Sequence, residues 1–339
     1  MRTADTKKLA SFLNRFPERR IAVLGDMMLD VYLWGRVTRI SPEAPVPVIN
    51  VARRTSCLGG AANVMRNVST LGAASFAYGV LGGDNAADEV IRELQSCRID
   101  ASCVCRDPAR RTTEKRRVIA GGQQLFREDY EDTMPVDDAL RRKLVNAVID
   151  RIRAGGLDAV IFEDYSKGLL SEWMLEEIVA AAEKCNVITA LDPKPGSLKP
   201  VRHLTVMKPN RAEAFALAGN ADRSPERPPL EDPCLRETAE RLLAEWEPRH
   251  LLISLAAQGM GLFQRGEAPR VIPTRAREVF DVSGAGDTVT AAFTLALVSG
   301  ARPEEAAELA NRAAGVVVGK VGTVPILLEE LRETLKMKD

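Results

Sequence analysis

Short runs of contiguous apolar residues alternate along this chain with stretches of helical period. Ile21-Ala22-Val23-Leu24-Gly25 and residues 159–162, 187–191, 204–207 and 250–254 read as buried strands, with helices predicted between them at residues 137–153 and 171–184. Strands alternating with helices imply an α/β fold: a mainly parallel central sheet flanked by helices on both faces. Such sheets bind ligands at the carboxyl ends of their strands. Asp26, Asp30, Glu163, Asp164, Asp192 and Asn210 stand at or soon after those ends. An active site needs such a concentration of polar, mostly acidic groups.

Two segments break the rhythm. Residues 31–54 carry Pro42, Pro45 and Pro47 beside a Val- and Ile-rich run, and residues 102–127 alternate polar and apolar positions without helical period. Both are expected to form a small separate β-sheet, a lid, over an α/β core of residues 1–30, 55–101 and 128–339; edge strands and loops of the main sheet are the alternative. Residues 222–234, rich in Pro and charge, read as an exposed loop.

Composition narrows the function classes. Lys and Arg total 47, as do Asp and Glu, so no long-range field favours nucleic acid or an anionic membrane. Residues 1–20 are charged and lack an apolar core, and no apolar run reaches the ~18 residues of a membrane span, so a cytoplasmic protein is expected. The six cysteines show no CxxC pairing and only His203 and His250 accompany them, which argues against a zinc site. Scattered free thiols fit a reducing compartment.

The most informative stretch is Asp281-Val282-Ser283-Gly284-Ala285-Gly286-Asp287. Ser283 is a suitable N-cap, residues 291–298 supply an apolar helical run and Gly300 a stop. Two glycines in a first turn cost helix stability, so something must approach the backbone closely. The N–H groups of Gly284, Ala285 and Gly286, with the helix dipole, form a site for an anion such as a phosphoryl group. Asp287 beside it can accept the proton of an attacking hydroxyl, or it merely complements the dipole. No GxxxxGK[ST] sequence occurs, so ATP, if used, is not bound by a P-loop.

Gly25-Asp26-Met27-Met28-Leu29-Asp30, Gly59-Gly60-Ala61-Ala62-Asn63, Lys208-Pro209-Asn210-Arg211-Ala212-Glu213 and the Asp281 to Asp287 stretch occur in this order. Together they resemble the ribokinase-like (PfkB) family of sugar kinases, over about residues 21–325. Four further stretches, at residues 39–48, 123–127, 164–168 and 313–322, are similar to the kinase part of the ADP-heptose synthesis proteins. The resemblance implies ATP-dependent phosphorylation of D-glycero-β-D-manno-heptose 7-phosphate at the anomeric hydroxyl, for the lipopolysaccharide inner core. That family often fuses the kinase to a nucleotidyltransferase. Because this sequence stops at Asp339, the second activity is expected in a separate protein.

The resemblance also assigns roles. Asp287 is the expected general base, with Gly284, Ala285 and Gly286 as the anion hole. Asp281 and Ser283 resemble ligands of a monovalent cation such as K⁺, the alternative being a loop carboxylate and an ordinary N-cap. Asp30, Gly59, Gly60 and Asn63 are expected at the sugar, whereas Asn67, on the same helix face, reads as a helix-surface residue. Asn210 and Glu213 match the NxxE motif that organises Mg²⁺ around ATP, through water. Lys194, Ser254, Gly259 and Asn311 are expected at the nucleotide. Lys115 and Arg117 share one face of a predicted strand, with Arg116 on the other, and with Arg127 and Lys167 they are candidates for the sugar phosphate. A solvated basic lid is the alternative.

One departure stands out. Where the family commonly carries a Gly-Glu pair near the nucleotide phosphates, this chain has Ala256-Ala257. The competing readings are a kinase for another sugar or sugar phosphate, and a non-catalytic sugar-phosphate or nucleotide sensor. The apolar lid strands also suggest a homodimer in which two lids clasp.

Overall fold

The computed structural model describes residues 6–276 and 278–336, so Met1 to Asp5 and Asp339 lie outside the described residues. In chain order the elements are α1 (Thr6–Leu13), β1 (Arg20–Gly25), β2 (Met27–Ile40), β3 (Pro47–Gly60), α2 (Ala61–Thr70), β4 (Ala74–Gly82), α3 (Asn85–Ser96), β5 (Asp100–Asp107), β6 (Thr113–Ala120) and β7 (Gln123–Tyr130). There follow α4 (Asp138–Arg153), β8 (Ala159–Glu163), α5 (Glu172–Lys184), β9 (Ile188–Asp192), β10 (Val206–Met207), α6 (Arg211–Leu217), α7 (Pro233–Glu245), β11 (His250–Ser254), β12 (Met260–Phe263), β13 (Arg270–Ile272), α8 (Ala285–Val298), α9 (Pro303–Val317) and α10 (Leu328–Thr334).

Among the described residues a nine-stranded sheet runs β13-β12-β11-β10-β9-β8-β1-β4-β5, parallel except where β12 meets its two neighbours. Its strands are apolar on both faces because each face has its own core. Ile21 and Val23 enter one cluster with α2, α8 and α9, while Ala22 and Leu24 enter the other with α4, α5 and α7. Helix α8 is buried on all sides from Asp287 to Ala296, which is why its sequence lacks a polar face. Strand order reverses at β1, between β4 and β8, and opens the crevice expected of such sheets. No helix of the described residues is long and apolar enough to cross a membrane.

The second sheet, β3-β2-β6-β7, is built of residues 27–60 and 113–130. All four boundaries differ from the sequence reading, and residues 128–130, expected in the core, lie in β7. Met27–Asp30 and Thr55–Gly60 belong to this sheet, since β2 leaves β1 after Asp26 alone. Residues 102–107, expected in the lid, fall in β5 at the edge of the main sheet, in register with β4. An edge strand with one exposed face shows the same period of two as a lid strand.

Smaller differences have equally local causes. Of residues 204–207 only Val206–Met207 is strand, because the Thr205 and Thr189 hydroxyls accept each other's backbone N–H in place of a ladder bond. The loop at 222–234 is exposed only as far as Glu231. Asp232 is buried, caps α7 and pairs with Arg211 at 2.5 Å. Asn67, read as a surface residue, is fully buried: its Oδ1 accepts from Thr288 Oγ1 and the Ile326 amide, each at 3.1 Å, and pins α2 to α8 and to the chain leading into α10.

Candidate active site

Asp287 lies in the first turn of α8, 7% exposed. The helix starts later than expected, with Gly284 rather than Ser283 at the N-cap. Gly284 has φ 76°, and a Cβ there would lie 2.8 Å from Asn63 Nδ2, so both conformation and space require glycine. Of the three amides expected in the anion hole, that of Ala285 already donates to the Val282 carbonyl at 3.2 Å. The Gly284 and Gly286 amides meet no acceptor among the described residues. A Cβ built on Gly286 would sit 3.4 Å from Lys208 Nζ, so a buried ammonium borders the same turn.

The Asp287 carboxylate accepts one hydrogen bond on each oxygen, from Asn63 Nδ2 and from the Tyr165 hydroxyl, both at 2.7 Å. Arg66 donates to Asn63 Oδ1 at 2.9 Å and to the Thr323 carbonyl at 2.7 Å, which orients the Asn63 amide with its nitrogen toward Asp287. Behind Asp287 the ends of β8, β9 and β10 contribute Glu163, Asp192 and Lys208. Lys208 pairs with Asp192 at 2.7 Å; burial opposes its charge, but that carboxylate outweighs it and the ammonium stays protonated. Glu163 is fully buried, and neither of its carboxyl oxygens has a hydrogen-bond partner. Burial first, and then the charges of Asp192 and Asp287, hold its carboxyl well above the usual carboxylate range.

A cavity of about 730 Å³ opens from Asp287 and Gly286. Lys194, Lys208, Asn210 and Ser254 line its polar end, and Val279, Val282, Val289 and Val318 its apolar end. Asn311 also lines it, with its amide donating to the Pro273 carbonyl at 2.5 Å. Gly259 does not line it; it closes a turn against the Ile272 carbonyl. Asn210 and Glu213 form a capping box on α6, and Glu213 also pairs with Lys194, so this carboxylate is shared between a helix end and an ammonium. Asp192 Oδ1, buried and without a partner, lies on the same wall, and this polar surface fits the water shell of a divalent cation. Asp281 accepts from the Ser283 amide at 2.9 Å and the Gly322 amide at 3.0 Å and so ties the loop before α8 to the chain after α9. Ala256, also on the cavity wall, holds φ 51°, a left-handed conformation that favours glycine.

On the second sheet Asp30 accepts from Arg117 at 2.5 Å, and Gly59 leaves the space its carboxylate occupies, since a Cβ there would lie 2.5 Å from Asp30 Oδ2. Gly60 is the N-cap of α2. Arg127 stands opposite Arg117 across the strands and pairs with Asp129 at 2.7 Å, while Lys167 pairs with Glu131 at 2.7 Å. Lys115 shares this face and has no ion pair among the described residues; burial lowers its ammonium below the usual lysine range. Arg116 points to the other face, where it pairs with Glu114 and packs on Tyr130. Tyr165, Lys208 and Arg66 went unassigned in the sequence. Two of them sit inside motifs already singled out, and only the fold reveals that they converge on Asp287 and Gly286.

Glu163 carries a pH signature. Because its folded pKa is raised above the ordinary value of about 4.3, the stability of its protonated form is complete below that value and is lost as pH rises through the folded one. Glu163→Gln should therefore flatten the decline of melting temperature as pH rises above the ordinary carboxylate range and melt above the wild type at the alkaline end. Parallel melting curves over that rise in pH would refute the assignment.

The sequence profile described as pfkB family carbohydrate kinase matches residues 18–330. The chain is 42% identical over 323 residues to the bifunctional protein HldE of Caulobacter sp. (strain K31), covering 95% of this chain and 64% of that protein. It is 37% identical over 334 residues to the HldE of Syntrophotalea carbinolica, covering 98% and 66%. It thus spans about two thirds of the length of these curated relatives. Among solved structures, Arabidopsis thaliana ribokinase complexed with ribose and ATP matches with TM-score 0.69 at 19% identity, over 94% of this chain and 99% of that one. Escherichia coli phosphofructokinase-2 in complex with potassium matches with TM-score 0.71 at 18% identity, over 94% and 99%. With its ribokinase-like architecture and a buried carboxylate at the first turn of α8, the chain belongs to the PfkB family of carbohydrate kinases, phosphotransferases that act on a sugar hydroxyl.

Proposed function

We propose that this kinase uses ATP to phosphorylate the anomeric hydroxyl of D-glycero-β-D-manno-heptose 7-phosphate. The observation that carries the reading is the face of Lys115, Arg117, Arg127 and Lys167 beside Asp30, which supplies the cationic surface that an already phosphorylated sugar requires. The similarity to proteins named HldE points the same way.

In this reading Asp30, Gly59, Gly60 and Asn63 contact the sugar. The hydroxyl oxygen attacks the γ-phosphorus, the new O–P bond forms as the bond to the β–γ bridging oxygen breaks, ADP leaves, and the hydroxyl proton passes to Asp287. The Gly286 amide and Lys208 meet the charge on the transferring group. Lys194, Asn210, Ser254 and Asn311 face the nucleotide from the cavity wall. Mg²⁺, when bound with ATP, neutralises phosphate charge, and Asn210 and Glu213 would hold its water shell. Asp281 keeps lone pairs for a monovalent ion such as K⁺ beside its two amide donors. A nucleotidyltransferase activity would act on the product.

Phosphorus NMR with Mg-ATP and the heptose 7-phosphate should show a new anomeric phosphate with ADP release, and Asp287→Asn should fold, bind both substrates and turn over none. Substantial turnover by that variant would sink the general-base role, and an inert wild type that still binds ATP would redirect the search to another sugar. Ala256→Gly relieves a left-handed alanine, worth on the order of 1 kcal/mol, and removes a methyl from the cavity wall. It should lower the KM for ATP and raise the melting temperature; an unchanged KM would free the Ala256 methyl of any part in nucleotide affinity.

Exposed Val37, Ile40, Val51 and Phe126 lie on the second sheet and support the reading of that sheet as a lid that clasps a second copy. Light scattering at micromolar concentration should return a dimer; a monomer alone would contradict the clasp.

A further inference from the structure

Tyr165 is a side chain of the site for which the proposed chemistry has no use. Its hydroxyl donates to Asp287 Oδ1 at 2.7 Å, opposite the Asn63 amide on Oδ2, so the carboxylate is gripped from both sides. The phenol lies on the cavity wall with Lys194 Nζ 5.3 Å above its ring. The loop that carries it is itself anchored: Asp26 Oδ2 accepts from the Tyr165 amide at 2.9 Å and the Lys167 amide at 3.1 Å, and Asp164 Oδ1 accepts from the Ser166 amide at 2.8 Å. Ser166 takes φ 55°, so the chain makes a sharp turn between the two residues that Asp26 holds. Asp26 is buried and is the last residue before β2. The same loop therefore sends one side chain to the base and another, Lys167, to the cations of the lid.

We propose that Tyr165 is a positioning residue for the base, held in place by Asp26, which aims the Asp287 carboxylate by donating a hydrogen bond to its Oδ1. This rests on the reading of Asp287 as the base. The charged and titratable groups around Asp287 are Glu163 from β8, Asp192 from β9, Lys208 after β10, Lys194 after β9, and Arg66 from α2 acting through Asn63. A donor on Oδ1 opposite the Asn63 amide on Oδ2 fixes the plane of the carboxylate among these groups. Burial, then the charges of Asp287, Glu163 and Asp192, push the Tyr165 hydroxyl well above its ordinary value, so it remains a donor throughout the working pH range.

Carbon-13 NMR of protein labelled at the aspartate carboxyls, with the Asp287 resonance identified by its loss in Asp287→Asn, tests this without turnover. In Tyr165→Phe the Asp287 carboxyl resonance should be displaced, as expected when a carboxylate oxygen loses its hydrogen-bond donor. An unmoved resonance overturns the proposal. In the kinase assay the same variant should lose about tenfold in kcat with the KM for ATP unchanged. Asp26→Asn, which keeps one acceptor oxygen, should lower kcat in the wild-type background and add little in the Tyr165→Phe background; full additivity would remove Asp26 from the arrangement. If Asp287→Asn turns over, the base reading fails; if it is inert while Tyr165→Phe keeps wild-type kcat and carboxyl resonance, only the positioning role fails.

Discussion

The structure depends on burying carboxylates at the carboxyl ends of neighbouring parallel strands. Asp26, Glu163, Asp164 and Asp192 at those ends, with Asp287 in the first turn of α8 beside them, are each less than one tenth exposed. An uncompensated buried charge costs several kcal/mol, so each must be paired, hydrogen-bonded or neutral. The fold answers differently at each position. Lys208 covers Asp192. Backbone amides cover Asp26 and Asp164. Asn63 and Tyr165 cover Asp287. Glu163, with no such partner, has its proton favoured. The switch point at β1 concentrates these groups, because loops after β1, β8, β9 and β10 open onto one crevice and no crossover helix can fill it.

The same constraint explains what could be read from the chain alone. Strands at 21–25 and 159–162 were legible because both faces are buried, which leaves an unbroken apolar run followed at once by polar residues. The helix after Gly284 was legible from its apolar length, but its first residue was not: a serine in the right place looks like a cap, whereas the constraint that selects Gly284 is the Asn63 amide, which is distant in sequence. Tyr165 and Lys208 carried no signal of their own. A tyrosine after two acids, or a lysine before a proline, acquires a role only when α8 is laid across the ends of β8 and β10. Asn67 misled for the opposite reason, since an asparagine in a helix is usually exposed and here three elements meet on its amide.

The limits of the second sheet were hidden by continuity. Between β1 and β2 stands Asp26 alone, with neither glycine nor proline after it to mark a turn, and Met27, Met28, Leu29 and Val31 are buried and apolar around the buried Asp30. The chain changes sheets without changing composition. At the far end, β5 and β6 share an alternating pattern, yet one is an edge of the main sheet and the other the centre of the smaller one. Period two identifies a strand with one covered face and does not say which layer covers it.

In the proposed reading, the cations on this face of the small sheet receive the sugar's phosphate. Arg117 and Arg127 face each other directly across β6 and β7, a juxtaposition that is destabilising unless each has its own carboxylate. Each has one, Asp30 and Asp129, and Lys167 has Glu131. Lys115, opposite Asp129, is the member of this face left without an ion pair among the described residues, and it is partly desolvated. Three pairs and one unpaired ammonium leave an excess of one positive charge on a surface that is half closed to water. A dianionic group arriving there gains Lys115 outright and shares the guanidinium donors that Asp30 and Asp129 do not use, whereas a neutral sugar gains neither. In that reading, discrimination on this face follows from charge already neutralised in part: enough carboxylate to let the arginines stand together, and too little to satisfy them.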